Sequence, residues 1–225
     1  LDMTEYQQGE DANRLLEAGG PADRSLILRI REQPFSVVLL DEVEKAHQSV
    51  LNLLLQLLDE GQLTDKAGRP ASFRNAIVIA TSNAGSAEIA QRVASGDSLE
   101  GFERPLIDKL ISGGQFKAEL INRFDDTVLF RPLNQSELTL VAKLMLEGVN
   151  KNLSQQNITV SLTNAALARL IQAGYDPQFG ARPMRRVIQT AVEDTIASKI
   201  LRGEAQPGSA ITLDAQDLSI QQPVV

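Results

Sequence analysis

The sequence predicts an α/β fold, a parallel sheet flanked by helices and followed by a smaller, mainly helical α+β domain. Three observations carry this expectation. Residues Val37 to Leu40 and Ala76 to Thr81 are unbroken apolar runs, the pattern of parallel strands buried on both faces. Between them Ala46, Val50, Leu51, Leu54, Leu55 and Leu58 recur at helical spacing, and strand–helix–strand alternation implies right-handed crossovers in a parallel sheet. Beyond Pro132 long helical patterns dominate, so the expected domains are 1–132 and 133–225.

Taken in order, Leu1-Asp2-Met3-Thr4 has the look of a strand end, and with no initiator methionine part of the natural protein is expected upstream. A short helix near Ala12 to Leu16 is broken by Gly19-Gly20-Pro21. Ser25 to Glu32 predicts a helix that returns the chain to the central strand at Phe35. The organising helix is expected to run from Val43 and to stop at Gly61. Gly61 to Asn75 reads as a loop or short hairpin. Helices are expected at Ser86 to Ala94 and Pro105 to Ile111, with an exposed loop from Ser95 to Glu103 between them. Lys117 to Phe124 predicts a short helix running into a third strand at Asp126 to Phe130. The second domain is expected to hold helices at Gln135 to Leu153, Asn164 to Ala173 and Pro183 to Arg202. Its strands are expected at Ile158 to Leu162 and Ala210 to Leu213, with a frayed end from Gln221 to Val225.

Composition narrows the function. With 225 residues, 43% of them hydrophobic, the chain can bury a sizeable core. It has no cysteine, which excludes disulfide frameworks and thiol catalysis. The single histidine, His47, has no Cys or second His with which to build a metal site. A net charge of −7 argues against generic binding to nucleic-acid backbones. No run is apolar enough to span a bilayer, and a cytoplasmic protein is the default expectation.

Two stretches carry chemistry. The first apolar run ends in Asp41-Glu42, at the strand edge where open α/β sheets bind ligands. One carboxylate there suits a hydrated magnesium ion while its neighbour orients or deprotonates an attacking water, the division that phosphoryl transfer requires and that defines a Walker B pair. Asp41 and Glu44 also fit a helix capping box, and both readings stand. The second run ends in Ser82-Asn83, where an amide either senses a terminal phosphate or serves as a turn or cap residue. Arg123 lies beside Asp125 and Asp126, its candidate ion-pair partners. In Gly180 to Arg186 the sequence GARPMRR puts Arg182, Arg185 and Arg186 in or beside a first helical turn. The helix dipole disfavours cations there, so Asp176 or a nucleotide phosphate should offset them.

In order, these pieces resemble the AAA+ unfoldases of the Clp family, specifically the second ATPase module with its C-terminal small domain, over nearly the whole chain. LLDEVEKAH (39–47) is similar to the Walker B segment, LLLQLLDEGQLTDKAGRPASFRNAIVIATSNAG (53–85) to the stretch through sensor 1, ELINRFD (119–125) to the arginine-finger segment and GARPMRR (180–186) to sensor 2. The resemblance implies a P-loop-type parallel sheet and a small lid domain. It assigns Asp41 to magnesium, Glu42 to the hydrolytic water, Asn83 to sensor 1, Arg123 to the nucleotide of a neighbouring subunit and Arg182 to the nucleotide of its own. It implies ATP and Mg2+ as cofactors, a homo-oligomeric, hexameric ring and protein substrates, with no nucleic acid or membrane partner.

Three departures qualify it. No Gly-Lys-Ser/Thr occurs, so the Walker A loop is expected upstream of Leu1, and this chain alone is expected to be inactive. The segment expected to hold an aromatic pore loop, EAGGPADRS (17–25), has no aromatic residue. This motivates an alternative, a nucleotide-responsive oligomeric scaffold or regulatory subunit that does not thread substrate. Finally, the nearest candidate for a protease-docking tripeptide, Glu100-Gly101-Phe102, begins with a charge, which argues against a ClpP-type partner.

Overall fold

The computed structural model describes residues 1–16, 25–176 and 179–220. The segment expected to hold a pore loop lies outside the described residues but for Ser25, as do the breaker Gly19-Gly20-Pro21 and the end from Gln221 to Val225. The chain divides into two compact units, Leu1–Arg131 and Pro132–Val225.

The first unit is built on a parallel pair, β1 (Val37–Leu40) and β4 (Ile77–Ala80), in the register Val37↔Ile77 through Leu40↔Ala80. Leu1 to Met3 extend the other edge of β1: Asp41 N–H donates to Leu1 C=O and Met3 N–H to Asp41 C=O, each at 2.8 Å. The strand-like start of the chain is thus present as an isolated bridge, Asp2↔Asp41. Both strands were expected to be buried on both faces, and this is corrected. Val38 and Leu40 are buried, whereas Val37 and Leu39 are 62% and 45% exposed, with Ile77 and Ile79 exposed beside them. Helices cover only one face of the pair among the described residues.

That covered face packs on α1 (Asp11–Leu16), α2 (Leu26–Glu32) and α3 (Gln48–Glu60) through Leu15, Ile27, Ile30, Val50, Leu54 and Leu57. Each fully buried aliphatic contributes about 1.5–3 kcal/mol, well above what helix caps supply. The expected start of α3 at Val43 is also corrected. Residues Val43–Lys45 form a single 3-10 turn, and α3 begins only after His47, whose Nδ1 accepts from Ser49 N–H at 3.2 Å. His47 is therefore a cap. At the other end Gly61 takes φ 65°, as a helix-terminating glycine should, and its N–H donates to Leu57 C=O.

Between α3 and β4 runs the hairpin β2 (Gln62–Thr64) and β3 (Pro70–Ser72). Its turn is organised by Asp65, which is 5% exposed. Asp65 accepts from Ala67 N–H, Arg69 N–H and Arg69 Nε, and Arg31 of α2 stands 3.5 Å away. Hydrogen bonds from Arg69, the backbone one foremost, hold its carboxyl below the usual aspartate range. After β4 come α4 (Ser86–Ala94), α5 (Glu103–Ser112) and the four-residue α6 (Ala118–Ile121). The third strand expected at Asp126 to Phe130 does not form. A strand exists only as part of a ladder, none of the described residues pairs with this segment, and Val128 and Phe130 are exposed.

The second unit packs α7 (Gln135–Leu153), α8 (Asn164–Gly174) and α9 (Arg182–Leu201) around the parallel pair β5 (Thr159–Leu162) and β6 (Ala210–Leu213). Asn134 and Glu137 form a capping box at the start of α7. The Asn150 side chain bonds both Val160 N–H and C=O, at 2.7 and 2.8 Å, and so satisfies one free residue of the β5 edge as a strand would. Helix α8 meets α9 at a bare glycine: a Cβ on Gly174 would stand 2.5 Å from Met184 Cα.

Two predictions follow from these contacts. The folded carboxyl of Asp65 is lowered, so its stabilisation is complete above the unfolded pKa and is lost as pH falls through the folded value. Asp65→Asn should therefore lower the melting temperature at pH 7, and the gap to wild type should close below pH ~3. Thermal unfolding of both proteins across that range checks it, and a gap that persists into acid contradicts it. Gly174→Ala should cost about 1–3 kcal/mol by overpacking, because the obstructing atom is backbone and cannot rotate away. Chemical denaturation of residues 132–225 measures this.

Candidate functional site

The parallel register of β1 and β4 places the residues following Leu40 beside those following Ala80. Thr81 is the tie. Its backbone N–H donates to Leu40 C=O at 2.9 Å and its carbonyl accepts from Val43 N–H at 3.0 Å. Its hydroxyl donates to the Asp41 carboxylate and accepts from Glu42 N–H at 3.1 Å. These bonds hold Glu42 at φ 55°, ψ 51°, a left-handed conformation that is uncommon for a non-glycine residue and costs on the order of 1–3 kcal/mol. Such strain persists only where its surroundings enforce it, and the end of β4 does so here.

The result is a compact polar group. The Asn83 amide donates to Glu42 Oε1 at 3.3 Å, and Asn83 N–H donates to Glu44 Oε1 at 3.1 Å. Glu44 Oε2 is buried without a hydrogen-bond partner. Asp41 and Asn83 are exposed, while Glu42 is half-buried. The structure thus brings together Asp41, Glu42 and Asn83. The capping-box reading of Asp41 and Glu44 does not hold, since no α-helix starts there and Glu44 reaches Asn83 instead.

Two further residues shape the group, Thr81 and Glu44, and a third, Asp59, sets the place of Arg123. Thr81 stands two positions before Asn83, and its strand-end hydroxyl is a signal visible in the sequence. Glu44 was considered as a cap and as a stand-in for Glu42, not as a partner of Asn83. Asp59 had no signal at all. Arg123 makes its ion pair with Asp59 near the C-terminal end of α3, Nε to Oδ1 at 2.5 Å, rather than with the adjacent Asp125 or Asp126. Arg123 borders a cavity of about 440 Å³ with Leu57, Gly61, Arg74, Asp125 and Asp126.

Arg182 belongs to the second unit, in the first turn of α9 with Pro183 next to it. Arg182, Arg185 and Arg186 are exposed, and the first turn of α9 holds no acidic residue to offset them. Asp176, the offset considered from sequence, uses Oδ1 to accept from Phe179 N–H at 2.9 Å. Phe102, in the tripeptide compared with a docking motif, lies under the Arg92 guanidinium at 4.5 Å.

As a metal site the group is sparse. Among the described residues no three His, Asp or Glu side chains converge on one point. One exposed carboxylate with a neighbouring hydroxyl fits magnesium, which keeps most of its waters and takes further oxygens from phosphates, and does not fit calcium, which needs a fuller oxygen cage.

Comparison with known proteins identifies the family. Residues 1–127 match the family model described as AAA domain (Cdc48 subfamily). Residues 133–213 match the model of the C-terminal, D2-small domain of ClpB protein. The chain is 41% identical to the chaperone protein ClpB of Meiothermus ruber over 98% of its own length and 26% of that protein's. It is 40% identical to the chaperone protein ClpB 1 of Synechocystis sp., over 96% and 24% respectively. To the negative regulator of genetic competence ClpC/MecB of Bacillus subtilis it is 38% identical, over 96% and 28%. The chain thus spans about a quarter of the length of these relatives.

Proposed function

We propose that this chain, which belongs to the AAA domain family (Cdc48 subfamily), is the ATP-hydrolysing module of a Clp-like protein-remodelling chaperone. The observation that carries the reading is the coupling of Glu42 to Asn83 across the β1–β4 edge. A carboxylate that takes a proton from water sits there in contact with an amide able to feel the terminal phosphate. Phosphoryl transfer by this family needs that pairing of roles.

In this reading Asp41 holds magnesium, with the Thr81 hydroxyl fixing the carboxylate's orientation. When bound, the ion supplies positive charge to the terminal phosphates of ATP. Glu42 accepts the proton of the attacking water, and its enforced backbone conformation keeps the carboxylate beside Asn83. The residues 133–225 serve as the lid, and Arg182 contacts the nucleotide of its own subunit. A phosphate-cradling loop comes from outside these 225 residues.

Arg123 serves a neighbouring subunit, in a homo-oligomeric ring that we take to be hexameric. Helix α3 supports this. Its 13 residues extend about 20 Å, it starts just after the Glu42 turn, and Arg123 is tied to its far end. An arginine held there is badly placed for the water activated by its own Glu42, whereas a finger offered across an interface couples hydrolysis to assembly. We place the protein in the cytoplasm, acting on polypeptide substrates. The scaffold alternative rests on the absence of an aromatic from residues 17–25, and unfolding of a tagged model substrate separates the two.

The decisive experiment uses a chain extended upstream to include a phosphate-binding loop. Glu42→Gln should bind ATP normally and lose about two to four orders of magnitude in turnover, since an amide is no base at neutral pH. Arg123→Ala should lose roughly three orders or more, again with binding kept. Mixed rings of the two variants should recover activity, because an inactive Glu42→Gln subunit still offers Arg123 to its neighbour. No recovery in rings verified as mixed by mass spectrometry would place Arg123 in its own subunit's chemistry or outside catalysis.

A further inference from the structure

We propose that Asp59 is the positioning residue of Arg123, holding the guanidinium by an ion pair made on its Nε side and so orienting it toward a phosphoryl oxygen. This rests on the reading of Arg123 as a finger acting on a neighbouring subunit's nucleotide. Three observations lead to it.

The first is the atom that is used. The pair is made by Nε to Oδ1 at 2.5 Å. A guanidinium has five N–H donors in a fixed planar fork, and Nε carries only one of them. Among the described residues Asp59 is the acid that pairs with Arg123, and the closest approach is at Nε rather than at Nη. Arginine reads phosphate through paired donors. Had Asp59 gripped both Nη atoms, the recognition edge would be consumed.

The second is the place of Asp59. It is the penultimate residue of α3, and the helix carries no basic residue in its last turn. Asp59 and Glu60 face the negative end of the helix dipole, where carboxylates are disfavoured. Arg123 supplies the missing positive charge from a distant part of the chain. Helix α3 is itself fixed by the buried Leu54 and Leu57 and stopped by Gly61, so Asp59 is a rigid anchor.

The third is exposure. The two side chains are 45% and 37% exposed, and pairs this open add little to stability. Arg123 also follows α6, a helix of only four residues, and borders the open cavity that Arg74 shares. A long side chain in such a setting would otherwise sample many rotamers. Orientation is therefore the effect that the pair has to offer, and a misplacement of about 1 Å in a catalytic group costs on the order of a hundredfold in rate.

The test again uses the upstream-extended chain, with ATP as the probe. Asp59→Ala should lower turnover about 10- to 100-fold while half-saturation by ATP stays unchanged, the signature of an interaction felt in the transition state. Asp59→Asn, which keeps the shape and a neutral oxygen near Nε but loses the charge, should fall between Asp59→Ala and wild type. The double variant Asp59→Ala/Arg123→Ala should be no slower than Arg123→Ala alone, because Asp59 acts only through Arg123. A purely structural Asp59 would slow the double variant further, and that result overturns the proposal. So does unchanged or faster turnover in Asp59→Ala while Arg123→Ala is slow, a faster variant meaning that the pair restrains the finger. If Asp59→Ala fails to assemble, Asp59→Asn carries the same comparison with Arg123→Ala. Wild-type turnover in Arg123→Ala would instead sink the finger reading itself, and this proposal with it.

Discussion

The parallel pairing of β1 with β4 is the constraint on which the rest of the first unit depends. A parallel ladder puts both C-terminal ends at one edge, so Leu40↔Ala80 fixes where Asp41-Glu42 and Thr81 to Asn83 emerge. Nothing in local sequence requires these two groups to meet. A shift of one residue in register would move Thr81 away from Asp41 and release Glu42 from its left-handed conformation. The apolar residues that set the register, Val38 and Leu40 against Ile27, Leu54 and Leu57, thus also hold the polar group in place.

Parallel pairing imposes a second requirement, since the chain must return to the start of the sheet before β4 can begin. Helix α3 and the β2–β3 hairpin make that return. Phe73 N–H donates to Gly61 C=O and Ile77 N–H to Ser36 C=O, which close the loop at the opposite end from Glu42. The two ends of α3 are therefore two different environments. Its start adjoins the carboxylates and its finish carries Asp59, Arg123 and the cavity bordered by Arg74. The Glu42 carboxylate and Arg123 consequently lie at separate places, the arrangement that our reading of a site shared between subunits calls for.

Much of this was legible in the sequence, and the failures have common causes. Both strands, helix α3 with its Gly61 stop and all the elements of the second unit follow from local periodicity and capping chemistry. The burial of β1 and β4 on both faces did not, because exposure of the second face depends on what covers it, which no short window contains. The strand expected at Asp126 to Phe130 failed because pairing is a long-range property, and none of the described residues pairs with this segment. Helix α3 starts at Gln48 rather than Val43 because Ala46 and His47 take extended backbone conformations, with ψ 143° and 152°, that break the chain's helical path after the 3-10 turn. The partner of Arg123 was sought among adjacent aspartates, whereas the geometry of α3 delivers Asp59. The residues Asp41, Glu42 and Asn83 were readable by type and position; the hydroxyl and backbone bonds that bring them together were not.

Charge at helix ends links these observations. The C-terminal end of α3 carries acids and is offset by Arg123, so a misfit between side chain and dipole is resolved within the unit. The N-terminal end of α9 carries Arg182, Arg185 and Arg186 with no acid in its first turn, a misfit of the opposite sign. Each cation there costs about 0.3–1 kcal/mol, little enough for the core of Met184, Ile188, Val192 and Ile196 to carry. Gly174 meanwhile lets α8 approach the α9 backbone at Met184, which fixes the start of the helix and so the position from which Arg182 extends. A helix end that is rigidly packed and carries three arginines with no acid in its first turn is one whose balance an external anion would restore. At α3 the offsetting charge comes from within the chain, and on our reading of Arg182 the nucleotide provides it at α9.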